Sequence, residues 1–128
     1  NLNFGHTFAH AIEMATDKYI KKDYFRHGEA VGIGIMCEIF YSHKKNSKLL
    51  GDVNKILNFY KLPTKILNNK YLTDKSIIQN EIYRAIFLDK KKINRYPRYI
   101  HLKNKFKPKI KEIKNFNLLN LTIKNFLN

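Results

Sequence analysis

Apolar positions recur along most of the chain at intervals of three and four residues, a pattern that predicts helices. The first such stretch covers roughly residues 1–17, a turn followed by a helix, and places Phe8, Ile12 and Ala15 on one apolar stripe. The stretch at about 28–44 is apolar on nearly every side. Because a helix of that kind has no polar face to turn to water, we expect it in the centre of a domain.

Three more helices are predicted at about residues 49–60, 74–89 and 118–127. Between the last two, the alternating segment 95–102 predicts a short strand that pairs with a second one near 110–113. The pattern therefore indicates a mainly α fold with a short β hairpin-like element near its end.

Local signals add three expectations to this outline. The polar, lysine-rich segment 17–25 is predicted to be a loop between the first two helices. Thr73 or Asp74 is a plausible N-cap for the fourth helix. Gly32 and Gly34 each cost the second helix about 1 kcal/mol relative to alanine, so we expect a neighbouring helix to pack closely against them.

Length and composition bound the class of protein. A chain of 128 residues, 44% of them hydrophobic, fits one globular domain with a real core. The longest apolar run, residues 30–37, is far shorter than a membrane span, and no secretory leader precedes it. The single cysteine, Cys37, excludes a disulfide framework and favours a reducing compartment, so we expect a cytoplasmic protein. Because the first residues already belong to a motif, we also expect a truncated N-terminal side.

The formal net charge of +15 raises the possibility of nucleic-acid binding. However, 21 of the 25 basic residues are lysine, whereas base and phosphate recognition relies heavily on the bidentate arginine side chain. The charge is better explained as a solvated surface, and we expect neither a nucleic-acid nor a membrane partner.

Histidines are clustered at the start of the chain. His6 and His10 stand four residues apart and so share one face of a helix, and His27 precedes the glycine that opens the next helix. The segment HTFAH differs from the HExxH motif of zinc proteases because Thr7 replaces the glutamate that serves as general base. Spacing alone leaves metal binding, catalysis and plain helix-edge positions all open.

A catalytic zinc site usually takes three protein ligands. The chain offers two or three histidines but no evident carboxylate ligand. Glu13, three residues after His10, could serve, although a surface salt bridge is the commoner role for such a residue. The shortfall suggests that a missing ligand lies outside this sequence.

The segments LNFGHTFAHAIE at 2–13 and HGEAV at 27–31 resemble the paired signature of the 3-dehydroquinate synthase family. The DKK at 89–91, followed by a predicted strand, is similar to a later part of the family pattern. The resemblance implies that residues 1–128 form the helical C-terminal domain that carries metal and substrate. It also implies that the full-length family member has an N-terminal α/β NAD-binding domain, which is absent here.

The resemblance also implies roles for individual residues. His6 and His27 would be two ligands of a catalytic zinc or cobalt ion, the third being a glutamate outside this chain. His10 would be a catalytic proton-transfer group beside the substrate. Asn3 would contact the substrate.

One lysine of the DKK segment, Lys90 or Lys91, would also contact the substrate. The resemblance leaves open which of the two does so. The alternative for either lysine is a plain exposed helix end.

The activity implied by the resemblance is that of a phosphorus–oxygen lyase of the shikimate pathway, which leads to chorismate and the aromatic amino acids. Such an enzyme converts 3-deoxy-arabino-heptulosonate 7-phosphate into 3-dehydroquinate and phosphate, using NAD and a divalent metal, and is expected to form a homodimer at full length. This fragment alone is expected to be inactive.

Alternatives remain within and outside this superfamily. Another sugar-phosphate cyclase, such as 2-deoxy-scyllo-inosose synthase, would share the metal and NAD chemistry and differ in its substrate contacts. A basic helical nucleic-acid-binding domain would show a salt-sensitive affinity for DNA, but it would leave the three N-terminal histidines unexplained.

Overall fold

The computed structural model describes residues 3–43, 48–67, 75–88, 95–102 and 107–128. Its elements, in chain order, are α1 (His6–Tyr19), α2 (His27–His43), α3 (Lys48–Phe59), α4 (Lys75–Ile86), β1 (Arg98–Leu102), β2 (Pro108–Glu112) and α5 (Phe116–Leu127). The mainly α fold with a short antiparallel hairpin is therefore confirmed.

The core forms around α2, which packs against α1, α3, α5 and β1. The predicted stripe of α1 is confirmed, since Phe8, Ile12 and Ala15 are fully buried. On α2, apolar side chains such as Ile33 and Met36 are buried on more than one side, as expected of a central helix.

Gly5 and Gly34 allow α1 and α2 to approach closely. The sequence predicted that a neighbouring helix packs closely against Gly34, and α1 does so. A Cβ on Gly34 would lie 2.2 Å from the carbonyl oxygen of Gly5 and 3.0 Å from the backbone nitrogen of Ala9. Gly5 has a φ of +81°, a left-handed conformation that favours glycine. Gly32 meets α3 instead, where an added Cβ would lie 3.1 Å from the side chain of Leu57.

The helix ends differ from the sequence expectations by a few residues. The segment 17–25 is not loop throughout, because α1 continues to Tyr19 and its last turn is closed by the Ile20 N–H donating to the Thr16 carbonyl. Helix α5 begins at Phe116, two residues before its predicted start, because the side chain of Asn115 caps it by accepting from the Leu118 N–H. The proposed caps at 73 and 74 lie outside the described residues.

The apolar face predicted for α3 is wrong in part. On α3 the sequence grouped Val53, Ile56, Leu57 and Tyr60, but Leu57 alone among them is buried. Ile56 is 56% exposed and Tyr60 68% exposed, because the described part of the chain packs only one narrow edge of α3 against α2.

Backbone groups of the hairpin form hydrogen bonds with side chains of the helices. Strands β1 and β2 pair with Ile100 opposite Ile110. The Thr7 hydroxyl on the first turn of α1 donates to the Arg98 carbonyl at 2.6 Å. This bond connects the beginning of α1 with the beginning of β1.

None of the described helices combines the length and the hydropathy that crossing a membrane requires.

Candidate metal and substrate site

Helices α1 and α2 bring the three N-terminal histidines together. His6 is the first residue of α1, His10 follows one turn later, and His27 is the first residue of α2. The ring centroids lie 5.3 Å apart for His6 and His27, 5.5 Å for His6 and His10, and 6.1 Å for His10 and His27. Residues separated by up to 21 positions in sequence thus form one cluster, here called the histidine cluster.

Local structure fixes the starts of both helices. The Asn3 carbonyl accepts from the His6 N–H at 3.1 Å, which forms a tight turn ahead of α1. At α2, the side chain of Glu29 accepts from the Arg26 backbone N–H at 2.7 Å. A glutamate in the first helical turn that reaches back in this way is one half of a capping box, and it defines where His27 stands.

Hydrogen bonds orient the rings of His6 and His27. The Nδ1 of His6 lies 3.1 Å from the Phe4 carbonyl oxygen, and the Nδ1 of His27 lies 3.1 Å from Oε1 of Glu13. Carbonyl and carboxylate oxygens only accept, so in both rings Nδ1 carries the proton and donates. In the neutral form of each imidazole, Nε2 is then left with a free lone pair. This is the arrangement in which a histidine ligates a metal.

The spacing of these two rings also suits a shared ion. Two imidazoles bound to one tetrahedral zinc have ring centres roughly 5 Å apart, because each ligating nitrogen lies about 2 Å from the metal. The 5.3 Å between His6 and His27 agrees with that value. In the described part of the chain, however, no group of three or more His, Cys, Asp or Glu side chains could hold a metal ion by itself. Two histidines are fewer than the three protein ligands that a catalytic zinc site usually takes.

The remaining predicted site residues have different surroundings. His10 is exposed and stands in the histidine cluster, and Asn3 is exposed at the turn before α1. The structure thus brings His10 beside the predicted ligand pair, as a substrate-facing group requires. Lys90 and Lys91 lie outside the described residues.

Glu13 forms a salt bridge, the commoner of the two roles that the sequence left open for it. Its carboxylate forms an ion pair or hydrogen bond with His27, at 3.1 Å to Oε1 and 3.3 Å to Oε2. In this position it orients the ring of a candidate ligand.

One residue beside this site, Glu38, is not predicted by the sequence patterns. Glu38 on α2 is fully buried, and its carboxylate accepts from the Gly5 N–H at 2.8 Å and from the Ile100 N–H at 3.4 Å. Burial raises the pKa of this carboxyl from 4.5 to about 7, against the opposing effect of the two hydrogen bonds. The signal was available, since an acid within an otherwise apolar helix needs a buried partner.

Comparison with known proteins identifies the class to which this helical, histidine-bearing domain corresponds. The family described as "3-dehydroquinate synthase C-terminal" matches residues 1–92. That match covers more than two thirds of the chain, and the chain belongs to this family.

Curated relatives agree with the family match. The chain is 36% identical over 105 residues to a 3-dehydroquinate synthase of Chlorobaculum tepidum, a match covering 79% of this chain and 26% of that relative. It is 40% identical to the 3-dehydroquinate synthase of Legionella pneumophila strain Corby, covering 80% and 26%, respectively. For that of Campylobacter fetus subsp. fetus the identity is 38%, with 77% and 26% covered. The matched part of the chain thus corresponds to about a quarter of each relative's length.

Proposed function

We propose that residues 1–128 are the C-terminal metal- and substrate-binding domain of a 3-dehydroquinate synthase. The complete protein would be a phosphorus–oxygen lyase of the shikimate pathway that converts 3-deoxy-arabino-heptulosonate 7-phosphate into 3-dehydroquinate and phosphate. The complete protein would also use NAD as a cofactor, form a homodimer and reside in the cytoplasm. The family relationship and the three relatives of that name support it.

The observation that carries the proposal is the paired orientation of His6 and His27. Their rings are 5.3 Å apart and each donates through Nδ1, which leaves Nε2 as the free nitrogen of each ring. A bound zinc or cobalt ion polarises a coordinated hydroxyl and lowers its pKa. The two histidines would hold that ion, and the third ligand would come from residues outside this chain.

The other residues of the site act on the substrate. His10 is exposed next to the ligand pair, and an imidazole can both accept and return a proton near neutral pH. Asn3 is exposed at the turn before α1, where its amide can bind a substrate hydroxyl. One of Lys90 and Lys91 would contribute a cationic contact to the substrate.

Phosphate release from 3-deoxy-arabino-heptulosonate 7-phosphate by the complete gene product tests this function. We expect NAD-dependent release of one phosphate per molecule of 3-dehydroquinate formed, abolished by a chelator and restored by Zn²⁺ or Co²⁺. Cyclisation of another sugar phosphate, with no turnover of the heptulosonate, would instead assign the protein to another class of sugar-phosphate cyclase.

A further inference from the structure

Glu38 lies in an unusual environment for a carboxylate. The side chain is fully buried in α2, whose neighbouring residues Cys37 and Ile39 are buried as well. Within the described residues it has no ion-pair partner, and its oxygens accept from the backbone N–H groups of Gly5 and Ile100. A buried carboxylate without a cation is costly, and the hydrogen bonds only partly offset that cost.

The start of α1 lacks the usual stabilising groups. Helix N-termini leave backbone N–H groups unsatisfied, and a side-chain cap or an acid in the first turn normally compensates for them. The N-cap position of α1 is Gly5, which has no side chain, and the first turn contains no acidic residue. The carboxyl group of Glu38, on the neighbouring helix α2, supplies the missing acceptor.

Helix packing allows this contact. Gly34 and Glu38 are four residues apart and therefore lie on the same face of α2. Because Gly34 has no Cβ, Gly5 can come into backbone contact with α2, and the Glu38 carboxylate reaches the Gly5 N–H one turn further along. The second oxygen of Glu38 accepts from Ile100 in β1, so one side chain holds α1 and the hairpin together.

We propose that Glu38 is a positioning residue for the metal site: its carboxylate joins the backbone at Gly5 to that at Ile100 and thereby sets His6 against His27. The inference rests on the proposed function, because it assumes that these two histidines bind the metal. His6 directly follows Gly5 and shares its turn, so a displacement of Gly5 moves the His6 ring. His27 stands at the start of the same helix as Glu38, so the hydrogen bond from the Gly5 N–H to Glu38 joins the start of α1 to the helix that carries His27.

The test is the affinity of the complete gene product for Co²⁺, measured by competition with a chelator at pH 8, together with the cobalt absorption spectrum. In Glu38→Gln, the amide can accept only through its oxygen, and its NH₂ group faces a second N–H donor. We expect the affinity to fall about 10- to 100-fold, as for other partners that orient ligands, and the cobalt spectrum to shift. A purely structural role would change the unfolding temperature and leave both readouts unchanged at a temperature where the variant is folded.

Glu81→Gln provides the matched control. Glu81 is the other buried glutamate of the described residues, but it pairs with Arg84 and Lys18. Lys18 stands twelve residues beyond His6 on α1, roughly 18 Å along the helix. We expect Glu81→Gln to lower stability and to keep the wild-type cobalt affinity and spectrum.

The outcomes separate the inference from the proposed function. Wild-type cobalt affinity and spectrum in folded Glu38→Gln would overturn the inference while leaving the metal site intact. If the wild-type protein itself binds no cobalt, the proposed function fails. Should Glu38→Gln not fold, the same measurements are made on Glu38→Asp, which keeps the charge on a shorter side chain. Partial recovery of affinity relative to Glu38→Ala supports the inference, and unchanged wild-type affinity in Glu38→Asp and Glu38→Ala overturns it.

Discussion

The carboxylate of Glu13 accepts a hydrogen bond from Nδ1 of His27 at 3.1 Å, across the junction between α1 and α2. This contact fixes the tautomer of His27 and the direction of its Nε2. It also places a residue of the first helix in contact with a proposed ligand on the second.

Glu13→Ala should therefore weaken metal binding without removing a ligand. We expect the dissociation constant for Zn²⁺ to rise about 10- to 100-fold, because the His27 ring loses its orienting acceptor. Glu13→Gln should lose less, since its amide oxygen can still accept from Nδ1. Competition titration with a zinc indicator measures both constants.

Glu112→Ala is a suitable control for the loss of an acidic side chain. Glu112 lies at the end of β2, where it is exposed and paired with Lys114. The Glu112→Ala variant should keep the zinc affinity of the wild-type protein. A tenfold loss of zinc affinity in this variant would show that net charge rather than the Glu13 contact controls binding.

The three histidines should divide into two classes on substitution. His6→Ala and His27→Ala should each lose the metal, because each removes one of the two proposed ligands. His10→Ala should keep the metal and slow turnover by about 10²- to 10⁴-fold, the usual range for a general acid or base. Metal content by mass spectrometry, together with kcat, separates these cases. Loss of the metal in His10→Ala would show that the roles are assigned wrongly.

The contact between Gly5 and Gly34 should be intolerant of a methyl group. An added Cβ on Gly34 would lie 2.2 Å from the Gly5 carbonyl oxygen, which is backbone and cannot rotate away. We expect Gly34→Ala to lower the free energy of unfolding by about 3 kcal/mol or more.

Gly51→Ala is the matched control for that substitution. Gly51 is exposed on α3, and nothing lies within 4 Å of its added Cβ. This change should raise the free energy of unfolding by about 0.5–1 kcal/mol through helix propensity. Denaturant titration measures both variants, and equal effects would contradict the close approach of α1 and α2.

The buried carboxyl of Glu38 should make stability depend on pH near neutrality. Burial raises its pKa from 4.5 to about 7, so its contribution is fully present below about pH 4.5 and is lost as the pH rises through 7. The shift corresponds to about 3 kcal/mol. The neighbouring Cys37 and Tyr99 remain protonated over this range, since burial raises the pKa of the thiol and raises that of Tyr99 to about 12.

The difference in free energy of unfolding between metal-free wild-type protein and Glu38→Gln isolates this effect. Between pH 5 and pH 8 we expect the wild-type protein to lose stability relative to the variant, by up to about 3 kcal/mol. A difference that stays constant across this range would contradict the raised pKa.

Much of the fold follows from periodicity because the buried stripes are continuous. Phe8, Ile12 and Ala15 on α1 are examples, as is the all-round apolar pattern of α2. The pattern was misleading for Ile56 and Tyr60, because a stripe predicts a face but not the partner that covers it.

The candidate site was predictable only in part. The spacing of His6 and His10 indicates one helix face, but the proximity of His27 depends on how α1 crosses α2, which Gly5 and Gly34 determine. An acid within the apolar pattern of α2 marks Glu38 as unusual, but its partners, the backbone N–H groups of Gly5 and Ile100, leave no mark in the sequence.

The most direct test of the central claim is the position of the bound metal in a crystal of the complete gene product, located by anomalous scattering at the zinc absorption edge. We expect one peak about 2.1 Å from Nε2 of His6 and equally close to Nε2 of His27. A peak that contacts only one of these nitrogens, or a metal bound through His10 in place of either, would contradict the account.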